Sequence, residues 1–362
     1  MLKTRETKRM MRCLLFACLG LGLACGNATP PSSAETQTAQ EQQDAEKPPV
    51  ATALPIGQRS LNGLPLAPGP AAFRFFTGGH LYGSPDPKKP RPALTWTSSK
   101  DRLIAALPRF FMGLGDLFCR IEDKAEVERT LGFLKTLPFP VLNAVGNHDL
   151  GSRKTWWSEQ FGPNYYAFRI GVTLFLVLDS ETKEWRIMGD QLKFLKSQLA
   201  AAREDSGLKT VFLFTHKMLW ADSKELVIAA LASNQGGNLL RSAHFAKDLF
   251  PATKSFREDL VATAKTKSVH WISGDTGAFP NRYHVFLQRE ESSGITFVAT
   301  GLGDLARDCL VQVDVSALGD VHYSLFALGS ERPEPIENYD AKRWTDHYYP
   351  EGIPQAIHSY VR

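Results

Sequence analysis

The sequence predicts an α/β fold of two packed mixed β-sheets flanked by helices, an α/β/β/α sandwich. Two observations predict it. From Phe73 onward, short apolar runs suited to buried strands alternate with amphipathic stretches at helical spacing. After Gly277 the helical spacing gives way to strand-like runs separated by turns.

In chain order, FRFFT, RFFMGLGD, PVLNAVGNHD, TLFLVLDS, TVFLFTH and SVHWISGD read as six strands, each ending in a polar residue or a glycine. Between them, 124–136 and 189–202 place apolar residues at i, i+3 and i+4 and predict helices. Such alternation argues for a parallel or mixed sheet covered on both faces. The later runs HVFLQ, GITFVAT, CLVQVDV and HYSLFAL are expected to form a second sheet packed on the first. Residues 221–267 make a longer connection, with SNQGGN at 233–238 and a helix expected over 255–266.

The domain boundaries follow from composition. Lys3, Arg5, Lys8, Arg9 and Arg12, opposed only by Glu6, precede an apolar run from Leu14 to Ala24 that is too short to span a bilayer, the pattern of an export signal. Small residues lead into Cys25 in GLAC, the pattern of a lipobox whose thiol carries lipid after cleavage. The chain is therefore expected to be exported and lipid-anchored to the cell envelope. Residues 1–25 form the signal, 26–67 (rich in Ala, Thr, Pro, Gln and Glu) a disordered tether, 68–335 the folded domain and 336–362 a C-terminal extension.

The first 24 residues account for the whole of the formal charge of +4, so the remainder is near neutral and nucleic-acid binding is not indicated. Of five cysteines, Cys119 and Cys309 fall in the domain, where export permits a disulfide between them.

In open α/β sheets the ligand crevice lies at the carboxyl ends of the strands, so polar residues recurring at successive strand ends should converge. Here they are Gly78-Gly79-His80, Gly115-Asp116-Leu117-Phe118-Cys119, Gly146-Asn147-His148-Asp149, Thr215-His216 and Gly274-Asp275-Thr276-Gly277. Neither GxGxxG after the first strand nor GxxxxGK[ST] is present, which leaves dinucleotide and P-loop chemistry unsupported.

The order and strand context of these blocks, over about residues 73–330, resemble the calcineurin-like metallophosphoesterases. In that family the blocks hold two metals that orient a phosphate and supply a hydroxide nucleophile. The resemblance implies that Asp116 bridges the metals, that Asn147 and His216 bind the second metal, that His148 protonates the leaving oxygen, and that Asp149 orients it. The pattern departs at Gly78, where the family has Asp, and at Asp275 and Gly277, where it has two histidines. Asp275 still offers a carboxylate to a hard metal, while the first site keeps only His80 and Asp116. One divalent ion, Mn, Fe or Zn, is therefore expected rather than two.

Two further candidates are Cys119, in the place of a metal-binding Tyr in the related purple acid phosphatases, and Arg120, where some members contact phosphate. Trp156, Trp157, Tyr165 and Tyr166 read as packing residues. His270 and His284 have no motif context and are left outside the site.

The function implied is hydrolysis of a phosphorylated small molecule or other phosphate mono- or diester. The alternative is an inactive phosphoesterase-fold lipoprotein that binds a partner.

Overall fold

The computed structural model describes residues 58–67, 69–84, 91–152, 155–182, 185–221, 226, 228, 231, 234 and 251–352. The chain divides between Glu46 and Lys47, and every described residue belongs to the second unit, Lys47–Arg362. The export signal, Cys25, most of the tether, much of the 221–250 connection and the last ten residues lie outside the described residues.

Two mixed sheets form the centre. Strands β1 (Phe73–Gly78), β2 (Phe110–Gly113) and β3 (Val141–Asn143) run parallel, and β10 (Cys309–Val315) with β11 (Val321–Ala327) extends them antiparallel, in the order β11-β10-β1-β2-β3. The other sheet has the order β4-β5-β6-β7-β9-β8, from β4 (Tyr166–Ile170), β5 (Thr173–Val177), β6 (Thr210–Thr215), β7 (Ser268–Ser273), β8 (Val285–Arg289) and β9 (Thr296–Thr300). Within it β5, β6, β7 and β9 are parallel, whereas β4 and β8 are antiparallel edges. The late strands thus do not make a sheet of their own. Each late hairpin extends one sheet, because alternation marks a segment as a strand without specifying which distant edge completes its hydrogen bonds.

Side-chain alternation along β1 sets the layers. Phe75 points into the space between the sheets, where it meets Phe110, Phe175, Phe212 and Phe214 at ring separations of 4.8 to 6.1 Å. Its neighbour Phe76 points the other way, into a second cluster with Trp96, Phe111 and Leu310. Paired aromatics of this kind contribute about 0.5–1.5 kcal/mol each beyond their burial, so the inter-sheet core holds the strand ends rigidly.

The helices are α1 (Leu94–Ser98), α2 (Lys100–Ala105), α3 (Lys124–Leu134), α4 (Asn147–Leu150), α5 (Trp156–Phe161), α6 (Gly189–Glu204), α7 (Pro251–Ala264) and α8 (Ala341–Tyr348). Asp123 caps α3 by accepting from the Glu126 N–H, and Val127, Thr130 and Leu134 form its buried stripe. In α6 the same role falls to Gln191, Leu195, Leu199 and Ala202. Tyr166 opens β4 and is buried beside Phe168. Among the described residues no helix is long and apolar enough to cross a membrane.

The described part of the segment read as tether lies against the domain. Leu61 N–H donates to the Val141 carbonyl at 2.8 Å, and the Asn62 amide reaches the carbonyls of Leu134, Leu137 and Phe139. Beyond residue 335, Trp344 of α8 is buried and donates from Nε1 to the Val285 carbonyl at 2.9 Å. Cys119 and Cys309 are buried thiols that are not joined to each other, so the disulfide allowed by the sequence is not formed. Burial pushes the Cys309 thiol well above its ordinary range.

Candidate metal centre

Five strand ends meet at one pole of the domain: His80 follows β1, Asp116 follows β2, Asn147 and His148 follow β3, His216 follows β6, and Asp275 follows β7. Sharp turns aim three of these side chains inward. His80, Asp116 and Asp275 sit at φ of 48°, 57° and 57°, the left-handed region that costs a non-glycine residue energy and clusters at functional sites.

His80, Asp116 and His216, all buried, form a group whose ligand atoms lie within 4.8 Å of one another. Among the described residues no other His, Cys, Asp and Glu group does so, and Cys119 is not a member. His80 Nε2 is 3.1 Å from Asp116 Oδ2, and His216 Nε2 is 3.5 Å from Asp116 Oδ1. Asp275 Oδ1 stands 3.9 and 3.8 Å from the same two imidazole nitrogens.

The tautomers follow from the backbone. The Leu114 carbonyl, 2.7 Å from His216 Nδ1, only accepts, so Nδ1 carries the proton and Nε2 presents a lone pair. The Thr276 carbonyl does the same at 2.7 Å from His80 Nδ1, and the Asn234 carboxamide lies against that ring. Second partners of this kind orient metal-binding imidazoles.

A divalent cation fits this group. His216 Nε2 is buried without a hydrogen-bond partner and faces carboxylates, an arrangement that repels unless a cation stands between them. Donors around one tetrahedral ion at 2.0–2.2 Å stand about 3.3–3.6 Å apart. Of the His–Asp116 spacings, 3.5 Å falls within that range and 3.1 Å just below it, while those to Asp275, 3.8 and 3.9 Å, lie just above it.

The electrostatics differ between the two imidazoles, burial favouring a neutral His216 and the carboxylates a protonated His80. Burial, reinforced by Lys217, pushes His216 down to about 4, keeping it neutral. For His80, burial acts downward but Asp116 and Asp275 outweigh it, leaving the imidazole raised. Burial would lift the Asp116 carboxyl, yet His216, His80 and His148 hold it well below the usual carboxylate range.

Close approach explains several glycines. A Cβ on Gly115 would stand 2.4 Å from the His216 ring, and one on Gly146 would stand 2.3 Å from Asp116 Oδ1. At Gly78 a Cβ would meet Leu310 Cδ2 at 2.6 Å, and at Gly277 it would meet the Gly301 carbonyl at 2.1 Å. A ligand side chain at either position requires its surroundings to move.

The remaining expected residues are placed as follows. His148 is partly exposed, with Nδ1 2.6 Å from the Cys119 carbonyl and Nε2 3.9 Å from Asp116 Oδ2. Asp149 is fully buried and accepts from the backbone N–H groups of Asp116, Leu117, Phe118 and Gly146 and from the Asn143 amide. Burial and the Asp116 charge push its carboxyl up to about 7, whereas all five donors address the anion. Asn147 Oδ1 accepts from Lys217 Nζ at 2.8 Å. Arg120 pairs with Asp123 at 3.6 Å at the surface.

Lys217 and Asn143 were not anticipated. Lys217 Nζ is fully buried, 3.0 Å from Asp275 Oδ2, 3.9 Å from Glu181 Oε1 and 5.9 Å from the centre of the Trp185 ring. Burial acts to lower its pKa, but Asp275, Glu181 and Asp116 outweigh it and raise it. Glu181 in turn is pushed up to about 8, by burial first. Asn143 accepts from the Gly115 N–H at 3.0 Å and donates to Asp149, tying β3 to the Asp116 turn. A charged or amide residue at the carboxyl end of a buried strand was the available signal for both.

No protein-family model matches the chain. Among curated proteins, 133 residues align at 29% identity with the serine/threonine-protein phosphatase CPPED1 of Pongo abelii. The Homo sapiens protein of that name aligns at 31% identity over 133 residues. Each alignment covers 32% of this chain and 42% of the relative, so the chain spans less than half the length of these curated relatives. Among solved structures, purple acid phosphatase PPD1 from yellow lupin (Lupinus luteus) seeds superposes with a TM-score of 0.48 and 12% identity. That match covers 75% of this chain and 54% of the other.

Proposed function

We propose that the domain is a metal-dependent phosphoesterase of the calcineurin-like type, acting on a phosphate mono- or diester through a centre that holds one divalent ion. The observation that carries this reading is the buried His80–Asp116–His216 group, in which two backbone-fixed imidazoles direct Nε2 at one carboxylate. The partial similarity to phosphatases supports the reaction class.

His80, Asp116 and His216 would hold the ion, with Asp275 beside them. When bound, such an ion supplies charge stabilisation for the phosphoryl group and a nucleophile at neutral pH. The chain's own residues supply the rest. The Cys119 carbonyl holds the Nδ1 proton of His148, so its Nε2 faces the centre and, when the ring is in the imidazolium form, delivers its own proton to the leaving oxygen and becomes neutral. Asp149 fixes the turn that carries Asp116, through the N–H groups it accepts. Residues 1–25 support export and lipid attachment at Cys25, which would present the site outside the cytoplasm.

The test combines elemental analysis for Mn, Fe and Zn with hydrolysis of a chromogenic phosphodiester by wild type and by Asp116→Asn. One bound ion and activity in the wild type, both lost in the variant, are expected. No metal above background, with equal trace activity in both proteins, overturns the reading and leaves a binding lipoprotein.

A further inference from the structure

We propose that the ammonium of Lys217 is a built-in cation that takes the place of a second metal ion and restricts the centre to one. This rests on the metallophosphoesterase reading above and concerns a residue to which that reading assigns no role.

Lys217 Nζ is fully buried, and three oxygen-bearing groups from three different strand ends surround it. Asn147 Oδ1 lies at 2.8 Å, Asp275 Oδ2 at 3.0 Å and Glu181 Oε1 at 3.9 Å. Two carboxylates and an amide oxygen converging on one point are a hard-cation donor set. A fully buried ammonium is expensive unless charge partners surround it, so the lysine is held there by the same groups that would bind an ion. Asp275 spans both positions, offering Oδ1 to the imidazole pair and Oδ2 to Lys217.

The position also follows from the chain. Lys217 directly continues the β6 end that supplies His216, and its backbone N–H donates to Ser180 Oγ at 3.0 Å. Neighbouring side chains therefore serve neighbouring positions, His216 the metal and Lys217 the adjoining cation. The face of Trp185, 5.9 Å from Nζ, closes the remaining side with a surface that favours a positive charge. At Gly78 and Gly277, where an added Cβ would meet Leu310 and the Gly301 carbonyl, no side chain supplies a further donor.

The test is metal titration of the metal-free full chain with Mn²⁺, read by bound-metal stoichiometry and by electron paramagnetic resonance. The wild type is expected to bind one Mn²⁺ with the spectrum of an isolated ion. Lys217→Ala is expected to bind two, with the spectrum of a spin-coupled pair. Because Lys217→Ala leaves buried carboxylates uncompensated and its folding depends on the second ion, Asn147→Ala provides an independent arm. Its Mn²⁺ affinity is expected to stay within about threefold of wild type, since in this proposal Asn147 serves the lysine; loss of a residue that orients a metal ligand costs about 10–100-fold.

Two ions in the wild type, one ion in folded Lys217→Ala, or an affinity loss of tenfold or more in Asn147→Ala overturns the lysine assignment while the phosphoesterase reading stands. A wild type that binds no Mn²⁺ removes the underlying reading and this one with it.

Discussion

His216 Nε2 faces Asp116 Oδ1 across 3.5 Å with no hydrogen-bond partner of its own, while Nδ1 is already committed to the Leu114 carbonyl. An apo centre in this state carries a desolvated lone pair against a carboxylate, and a divalent ion relieves it. Chelation of the purified protein is therefore expected to lower thermal stability. At metal concentrations 100-fold above Kd the bound ion contributes about 2.7 kcal/mol. Thermal unfolding with and without EDTA checks this, and His216→Ala is expected to unfold at the same temperature in both.

Asp149→Ala is expected to destabilise the fold by about 3–5 kcal/mol, because it leaves four backbone N–H groups and the Asn143 amide without their buried acceptor. Urea unfolding of the metal-free protein measures this independently of the centre. A loss below about 1 kcal/mol would mean that water or a neighbour replaces the carboxylate.

His148→Gln separates proton donation from binding. Activity on an alkyl phosphate is expected to fall by about 10²–10³, since the departing alkoxide needs a proton. On 4-nitrophenyl phosphate, whose leaving group departs unprotonated, the loss is expected to stay below about tenfold. Equal losses on both substrates would assign His148 a role other than general acid.

Acidification is expected to weaken the fold through two buried histidines that are not part of the motif blocks. Burial pushes His270 and His284 each down to about 3, whereas in the unfolded chain they titrate near 6.5. Between those values the unfolded state binds more protons, so stability falls as pH falls. At pH 5 the cost is about 2 kcal/mol per histidine. Urea unfolding of metal-free wild type at pH 7.5 and 5 should show this difference, and His270→Gln should reduce it by about 2 kcal/mol. An unchanged pH dependence in the variant would contradict it.

The strand ends were legible because parallel strands buried on both faces read as unbroken apolar runs that stop at polar residues. FRFFT, TLFLV, TVFLFT and SVHWIS correspond to β1, β5, β6 and β7. Sheet partnership was not legible, since β10 pairs with β1 across more than two hundred residues and no local pattern records that. At the centre, motif residues were found by type and position, but what each touches depends on packing. Asn147 accepts from a lysine that follows β6 and whose other partners come from the turns after β5 and β7. Lys217 escaped notice because a lysine in a sequence ordinarily marks a solvated surface, and only the fold shows this one buried.

The most direct test of the centre is anomalous scattering at the zinc edge from crystals of the protein grown with Zn²⁺. A single strong peak about 2.0–2.2 Å from His80 Nε2, His216 Nε2 and an Asp116 carboxylate oxygen is predicted. The absence of any peak among these three side chains, in crystals that bind Zn²⁺ elsewhere, would contradict it.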